Sequence, residues 1–198
     1  SHPSIEVRLF NPVASRSIRM LGMLADFSRT NRRMHNKSFT ADNQFMIAGG
    51  RNIGDEYFEA RPDVEFADLD LLAIGPVVGE VSRQFDRYWN SPAAFPITAL
   101  SPSIPPDEEK LRLLAGLRTF VQEQAEADYA QALKSSGLAE SLAAGRLAFS
   151  YGKARVVADD PMQILQEAGE DSSHLLPDLL PEFESLGSEL VLVSPYFV

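Results

Sequence analysis

The sequence contains no cysteine, only three histidines and one tryptophan among its 198 residues. Disulfide bonds and thiolate metal sites are therefore excluded. No apolar run approaches the roughly 20 residues that cross a bilayer, and no signal-peptide pattern opens the chain. Phosphate-loop, dinucleotide-binding, zinc-ligand and nucleophile-elbow motifs are also absent. The apolar content of 44% and the length still allow one domain with a core, or one domain that carries an insertion.

Charge is unevenly spread along the chain, whose net charge is −10. Residues 1–37 hold seven basic and two acidic side chains, a net of +5, so the remainder carries −15. An acidic body argues against non-specific nucleic-acid binding, which requires broad phosphate neutralisation. The basic N-terminal part suits a phosphate-bearing substrate or an anionic membrane surface, contacted peripherally. Alternatively, the arginines of residues 16–33 only solvate a helix face.

A histidine and a lysine two residues apart mark the most informative stretch of the chain. In extended backbone, residues 34–40 place His35 and Lys37 on one face, because side chains alternate along a strand. Asp42 and the following asparagine can form a tight turn, and residues 44–48 then form the returning strand of a hairpin.

A pair of glycines follows this hairpin. Gly49 and Gly50 lack side chains, so their backbone N–H groups can closely approach an anion, and Asn52 adds a side-chain donor. An imidazole beside an ammonium group and amide donors can hold a phosphodiester and attack its phosphorus.

This stretch resembles the HxKxxxxD motif of the phospholipase D superfamily. His35, Lys37 and Asp42 occupy the three fixed positions, and Asn52 lies where the downstream element of the family has its asparagine. Gly50 stands where most members have serine, which puts one hydroxyl contact to phosphate in doubt. The sequence of residues 31–58 is similar to that of the bacterial cardiolipin synthase branch, and closest to its third type.

The resemblance implies a fold, a substrate and a mechanism. The fold would be a mixed α/β, phospholipase D-like sandwich of mixed sheets flanked by helices, with a helical insertion. The substrate would be a phospholipid similar to phosphatidylglycerol, and the reaction would pass through a phosphohistidine on His35 without a metal or other cofactor. Lys37, Gly50 and Asn52 would bind the phosphate, and Asp68 would orient His35; the alternative for Asp68 is an ion pair with a nearby arginine. Asp42 belongs to the motif but is better interpreted as a turn residue than as a proton carrier.

The resemblance also divides the chain into four parts. Residues 1–90 would form a half-domain with the first motif, residues 91–106 a proline-rich connector, residues 107–186 a mainly helical insertion, and residues 187–198 the first strand of a second half. We therefore expect this chain to be a piece of a longer protein. A second motif would come from the rest of that polypeptide or from a second copy of the chain, and the isolated piece would be nearly inactive.

Periodicity and turn signals predict the secondary structure. The expected elements are strands at residues 5–10, 64–74, 152–158 and 189–198, and helices at residues 17–28, 76–89 and from 107 to 133. The aromatic residues of the second helix are expected in the core, and the third helix is expected to pack on the domain. His2 and His174 are expected to be ordinary surface residues.

Two other functions remain open. A phosphodiesterase or nuclease of the same superfamily would use the same residues, although the acidic surface disfavours a nucleic-acid substrate. A non-catalytic lipid-binding module would need phosphate contacts but no oriented imidazole.

Overall fold

Two small antiparallel sheets form around one amphipathic helix. The structure, a computed structural model, describes residues 4–12, 33–54, 68–100, 105–125, 128–165 and 175–191. Its strands are β1 (Arg8–Phe10), β2 (Ser38–Ala41), β3 (Phe45–Ala48), β4 (Leu71–Ile74) and β5 (Ala94–Pro96). Its helices are α1 (Pro76–Trp89), α2 (Ile97–Leu100), α3 (Asp107–Gln124), α4 (Asp128–Lys134), α5 (Gly137–Ala143), the 3₁₀ helix η1 (Pro161–Leu165) and α6 (Leu176–Glu184). The predicted α/β class is confirmed.

The motif hairpin is the centre of the larger sheet, which has the order β2-β3-β4. Asp42 and Asn43 have φ values of 51° and 54°, and the amide of Gln44 donates to the carbonyl of Ala41 at 3.0 Å. Positive φ at both central residues is typical of type I′ turns, which match the twist of the flanking strands. The predicted tight turn is therefore confirmed.

The helix α1 begins where the sequence predicts it. Gly75, with φ 91°, takes a conformation that suits glycine, and Pro76 follows at the first helical position. The buried face of α1 presents Val78 and Val81, which pack with Met46 of β3. This cluster is the core of the described residues. The other sheet pairs β1 with β5.

Several sequence predictions are wrong in detail. Within the described part of the strand predicted at 64–74, residues 68–70 have irregular backbone and Leu71–Ile74 form the strand. Residues 152–158 are not a strand, and residues 189–191 have no regular structure. The proline-rich stretch 91–106 contains β5 and α2, because β1 supplies the partner that its sequence does not reveal.

Two predictions about packing are also wrong. Phe85 is 52% exposed and stacks on Trp89, so the aromatic residues of α1 line its flank rather than the core. The long helix is confirmed as α3, but it ends at Gln124 and none of its residues is buried. The helix predicted at 17–28, residues 64–67, His2, His174 and residues 192–198 lie outside the described residues.

The chain divides into two compact units. The first comprises residues 1–51, 68–102 and 154–198, and the second comprises residues 52–67 and 103–153. The first unit contains both sheets, α1 and the core, whereas the second contains α3, α4 and α5. No described helix is long and apolar enough to cross a membrane.

Candidate active site

The His35 imidazole is held by the backbone two residues before it. Its Nδ1 atom lies 2.9 Å from the carbonyl oxygen of Arg33. A carbonyl oxygen can only accept a hydrogen bond, so Nδ1 carries the proton in this arrangement. In the neutral ring Nε2 then keeps its lone pair. The local chain therefore sets the tautomer that a nucleophilic imidazole requires.

Lys37 lies beside this imidazole along the chain. Its ammonium group donates a hydrogen bond of 2.7 Å to the carbonyl of His35. An ammonium group has three donors, so this bond leaves two N–H groups for other acceptors. The ammonium group that would bind a phosphate oxygen is thus also bonded to the backbone of His35.

Asp42 lies at the opposite end of β2 from Lys37, in the hairpin turn. Five residues of extended chain correspond to roughly 16 Å. The Asn43 side chain next to it accepts a 2.6 Å hydrogen bond from Ser82 of α1. A turn position accounts for Asp42 without a role in proton transfer.

Carboxylates cover one side of the glycine pair. A Cβ atom at Gly49 would overlap the carboxylate of Asp70, and a Cβ atom at Gly50 would overlap that of Asp68. A side chain at either position would therefore displace a neighbouring carboxylate, which is a packing reason for glycine here. The position that a Cβ atom would take does not report the direction of the backbone N–H groups, so phosphate binding at Gly50 stays a prediction.

The Asp68 carboxylate contacts neither partner expected from the sequence within the described residues. Its Oδ1 accepts a 2.7 Å hydrogen bond from the amide of Leu69, while Oδ2 is buried and has no hydrogen-bond partner there. Orientation of His35 by Asp68 stays a prediction, because the structure shows the Arg33 carbonyl in that position instead.

An arginine that sequence reasoning did not select holds this edge of the sheet. Arg51 forms a 2.9 Å ion pair with Asp70 and donates a 3.2 Å hydrogen bond to the carbonyl of Asp68. The pair joins the chain after β3 to the chain before β4. The signal in the sequence was the second acid, Asp70, which lies two residues after Asp68 in an otherwise apolar stretch. Asn52 follows Arg51 but belongs to the second unit.

A polar residue of α1 was also missed. The Tyr88 hydroxyl donates a 3.1 Å hydrogen bond to the carbonyl of Asp159. Burial raises the pKa of Tyr88; the Asn36 side chain opposes this rise, and the charges of Asp159 and Asp160 add to it. The phenol is therefore protonated at neutral pH and can act as a donor.

Metal binding has no obvious site in the parts of the chain that are described. There, no three histidine or acidic side chains converge as a metal ion would require. The groups near His35 are an ammonium, an amide and backbone carbonyls. Such an arrangement can bind an anion and present a nucleophilic nitrogen to it.

Comparison with known proteins finds relatives of this α/β chain. It is 41% identical over 201 aligned residues to cardiolipin synthase C of Escherichia coli, across 100% of this chain and 41% of that protein. Two uncharacterised proteins from two strains of Helicobacter pylori are 45% and 44% identical over 101 residues, which is 50% of this chain and 20% of each relative. The chain thus spans less than half the length of these relatives. No family model and no solved structure matches it.

Proposed function

We propose that this chain is part of a phosphatidyltransferase that acts on phospholipid phosphodiesters. The observation that carries the proposal is the 41% identity, over the full chain, to a protein named cardiolipin synthase C. A relationship of this extent covers the hairpin, the glycine pair and α1 together. The geometry of His35 supports the same chemistry, because its tautomer leaves Nε2 available for attack.

The proposed mechanism has two displacements at one phosphorus atom. The lone pair of His35 Nε2 attacks phosphorus and forms a P–N bond. The P–O bond to the leaving alcohol breaks, its oxygen takes the electron pair, and a general acid supplies the proton. An acceptor alcohol, such as a glycerol headgroup, then attacks phosphorus. It gives its proton to the group that acted as the general acid and that now acts as a base. The P–N bond breaks, and its electrons return to Nε2.

The other residues have supporting roles in this proposal. Lys37 would stabilise the negative charge on the non-bridging oxygens with the two N–H groups that the His35 carbonyl leaves free. Asn52 would add a neutral donor, and Asp68 would orient His35 when substrate is bound. The general acid would be a second histidine, supplied by another part of a longer polypeptide or by a second copy of this chain.

The proposed reaction would take place at a membrane surface, because its proposed substrates are phospholipids. A phosphatidylglycerol-like lipid keeps its acyl chains in the bilayer, so the protein would bind peripherally and reach the headgroup. The net charge of +5 on residues 1–37 favours contact with anionic headgroups. The acidic remainder of the chain disfavours nucleic acid as a substrate.

A phosphodiester with a nitrophenyl leaving group tests His35 directly. Nitrophenolate departs without a proton donor, so the first displacement needs only the half-site that this chain contains. We expect a burst of up to one nitrophenolate per chain and a phosphorylated His35 peptide in mass spectra. The His35→Ala variant should lose both signals, whereas His174→Ala should retain them.

Rates measured at several protein concentrations distinguish the two possible sources of the general acid. A His35-dependent rate that rises faster than linearly with concentration would indicate that two copies share one site. A burst without turnover would indicate that the acid belongs to another part of a longer polypeptide. Absence of both the burst and the adduct on His35 would contradict the proposed function. Formation of cardiolipin from phosphatidylglycerol vesicles, against simple hydrolysis, then distinguishes a transferase from a phosphodiesterase.

A further inference from the structure

We propose that the face of the larger sheet that points away from α1 binds an acyl chain of the phospholipid whose phosphodiester lies at His35 and Lys37. The occupant is one hydrocarbon chain of a single bound lipid, rather than a bilayer or a second protein. The inference rests on the proposed function for the position of the phosphodiester. It adds a binding surface for a part of the substrate that does not react.

The two faces of the sheet β2-β3-β4 have different surroundings. One face presents Met46, which is buried and packs with Val78 and Val81 of α1. Side chains alternate along a strand, so Phe45 and Ile47, the neighbours of Met46 in β3, point to the other face. Both are exposed. The face opposite α1 is therefore apolar and open to solvent.

This second face consists of two rows of paired apolar residues. Directly paired residues of antiparallel strands share a face. Phe39 and Ile74 are 60% and 47% exposed, and the rings of Phe39 and Phe45 lie 6.2 Å apart. No residue of β2, β3 or β4 carries a charge. The face, here called the outer patch, is formed by Phe39, Ile47 and Leu72 in one row and by Ala41, Phe45 and Ile74 in the other.

The outer patch continues into the candidate active site along β2. Lys37 comes directly before β2 and two residues before Phe39. Two residues of extended chain span roughly 7 Å, and residues at this spacing lie on one side of the chain. His35 follows Lys37 at the same spacing. A phosphate oxygen bound by Lys37 is therefore only one row away from the aromatic ring of Phe39.

The order of groups along this face matches the order of groups in an anionic phospholipid. An imidazole and an ammonium group stand at one end, and two uncharged apolar rows follow. A phospholipid likewise has an anionic phosphodiester at one end and hydrocarbon beyond it. The four residues of each strand extend for roughly 13 Å, along which a hydrocarbon chain can lie. Each methylene group that it buries there favours binding.

The size of the outer patch argues against a second copy of the chain as its occupant. Three strands spaced about 4.8 Å apart and four residues long cover roughly 190 Å². Stable protein–protein interfaces bury about 800 Å² on each partner. The patch is thus too small to hold a second copy by itself, but it is wide enough for one hydrocarbon chain.

Binding of short phosphatidylglycerols tests the outer patch. Isothermal titration calorimetry compares the dihexanoyl and dioctanoyl lipids, each below its critical micelle concentration. Full burial of a methylene group raises affinity about fourfold, and an open face that covers one side of the chain should give about twofold. The two added methylene groups should therefore lower the dissociation constant about fourfold. Lys37→Met should weaken both lipids equally, because it removes a contact to the headgroup.

Variants of the outer patch should reduce this dependence on chain length. Phe39→Ser and Ile74→Ser change exposed residues on two different strands, and each should lower the fourfold ratio to less than about twofold. Phe85→Ser is the matched control. Phe85 is exposed on α1, the helix that covers the opposite face, so its replacement should leave the ratio unchanged.

Three results would overturn the proposal. The first is equal affinity of the wild-type chain for the two lipids, or a wild-type ratio in both Phe39→Ser and Ile74→Ser. The second is a dependence on chain length that occurs only above the critical micelle concentration, which would assign the outer patch to a bilayer. The third is a dimer in analytical ultracentrifugation that both variants dissociate, which would assign it to a second copy.

This measurement needs no turnover, so its failure is distinguishable from failure of the proposed function. A phosphorylated His35 without dependence of binding on chain length would contradict only the acyl-chain surface. A dependence that Phe39→Ser removes, without any adduct on His35, would support the surface and contradict the proposed chemistry.

Discussion

Two helices with similar sequence patterns have different surroundings in the two units. In the first unit α1 buries Val78 and Val81 against the sheet, and its polar side chains bond to the hairpin turn and to residues 156–160. In the second unit α3 repeats leucines at helical spacing but buries none of its residues. Apolar periodicity therefore predicts that a helix forms and which face is apolar. It does not predict that a partner covers that face.

The largest expected difference concerns core packing. Val78→Ala should lower the free energy of unfolding by about 2 kcal/mol, because Val78 is fully buried and its removal leaves a cavity. The matched change on α3 is Leu117→Ala, at a residue that is 51% exposed. It should change stability by less than about 0.5 kcal/mol. Urea denaturation followed by circular dichroism measures both.

Equal losses for the two variants would contradict this comparison. They would mean that the leucine face of α3 is covered in solution. A change in the slope of the denaturation curve, rather than in its midpoint, would instead point to altered compactness of one of the two states.

A second comparison uses two glycines with opposite surroundings. Gly49→Ala should destabilise the protein by about 1–3 kcal/mol, because the new methyl group would overlap the Asp70 carboxylate. Gly116, within α3, has open space around its missing side chain. Gly116→Ala should stabilise the protein by about 0.5–1 kcal/mol through helix propensity. Thermal unfolding of both variants should therefore shift in opposite directions.

A shift in the same direction would contradict the assignment of the first glycine to close packing. The double variant Gly49→Ala/Asp70→Ala sharpens the test. It removes the overlapping carboxylate and should recover part of the loss if that contact is its cause.

The smallest expected difference in stability is between variants that each remove one of two ion pairs. Arg51→Met should cost about 1 kcal/mol, because Arg51 binds both the Asp70 carboxylate and the Asp68 carbonyl and is only one-third exposed. Arg112 and Glu108 on α3 are 79% and 82% exposed. Arg112→Met should cost less than about 0.5 kcal/mol. Denaturation at low and high salt measures the difference.

High salt should remove most of the Arg112 effect and less of the Arg51 effect, since screening acts mainly on exposed charges. Equal salt dependence would show that the pair at Asp70 is as well solvated as the surface pair. The stabilising role given to Arg51, which joins the chain after β3 to the chain before β4, would then be wrong.

The sequence pattern located the hairpin, its turn and the start of α1 correctly. These features depend on residues close together in the chain: two residues that tolerate positive φ, a glycine and proline at a helix start, and regular apolar spacing. The spacing of the motif residues carries the resemblance, and their role stays a prediction. The similarity to cardiolipin synthase C, over the whole of this chain and 41% of that protein, supports a relationship between the two.

Contacts between distant residues were not predictable in this way. The stretch at 91–106 contains a strand because β1 pairs with it, and the stretch at 152–158 is not a strand although its composition suggested one. Arg51 and Asp70 meet across neighbouring strand ends, and Tyr88 of α1 meets Asp159 from a distant part of the chain. No local sequence pattern predicts such contacts.

The sequence alone thus determined the turn between β2 and β3 and the helix that packs beneath them, because short-range geometry and propensity fix these features. Only the tertiary structure decided what surrounds the glycine pair. The carboxylates of Asp68 and Asp70 lie beside Gly50 and Gly49 because β3 pairs with β4 over a long distance in the chain, whereas the carbonyl that holds His35 lies only two residues away.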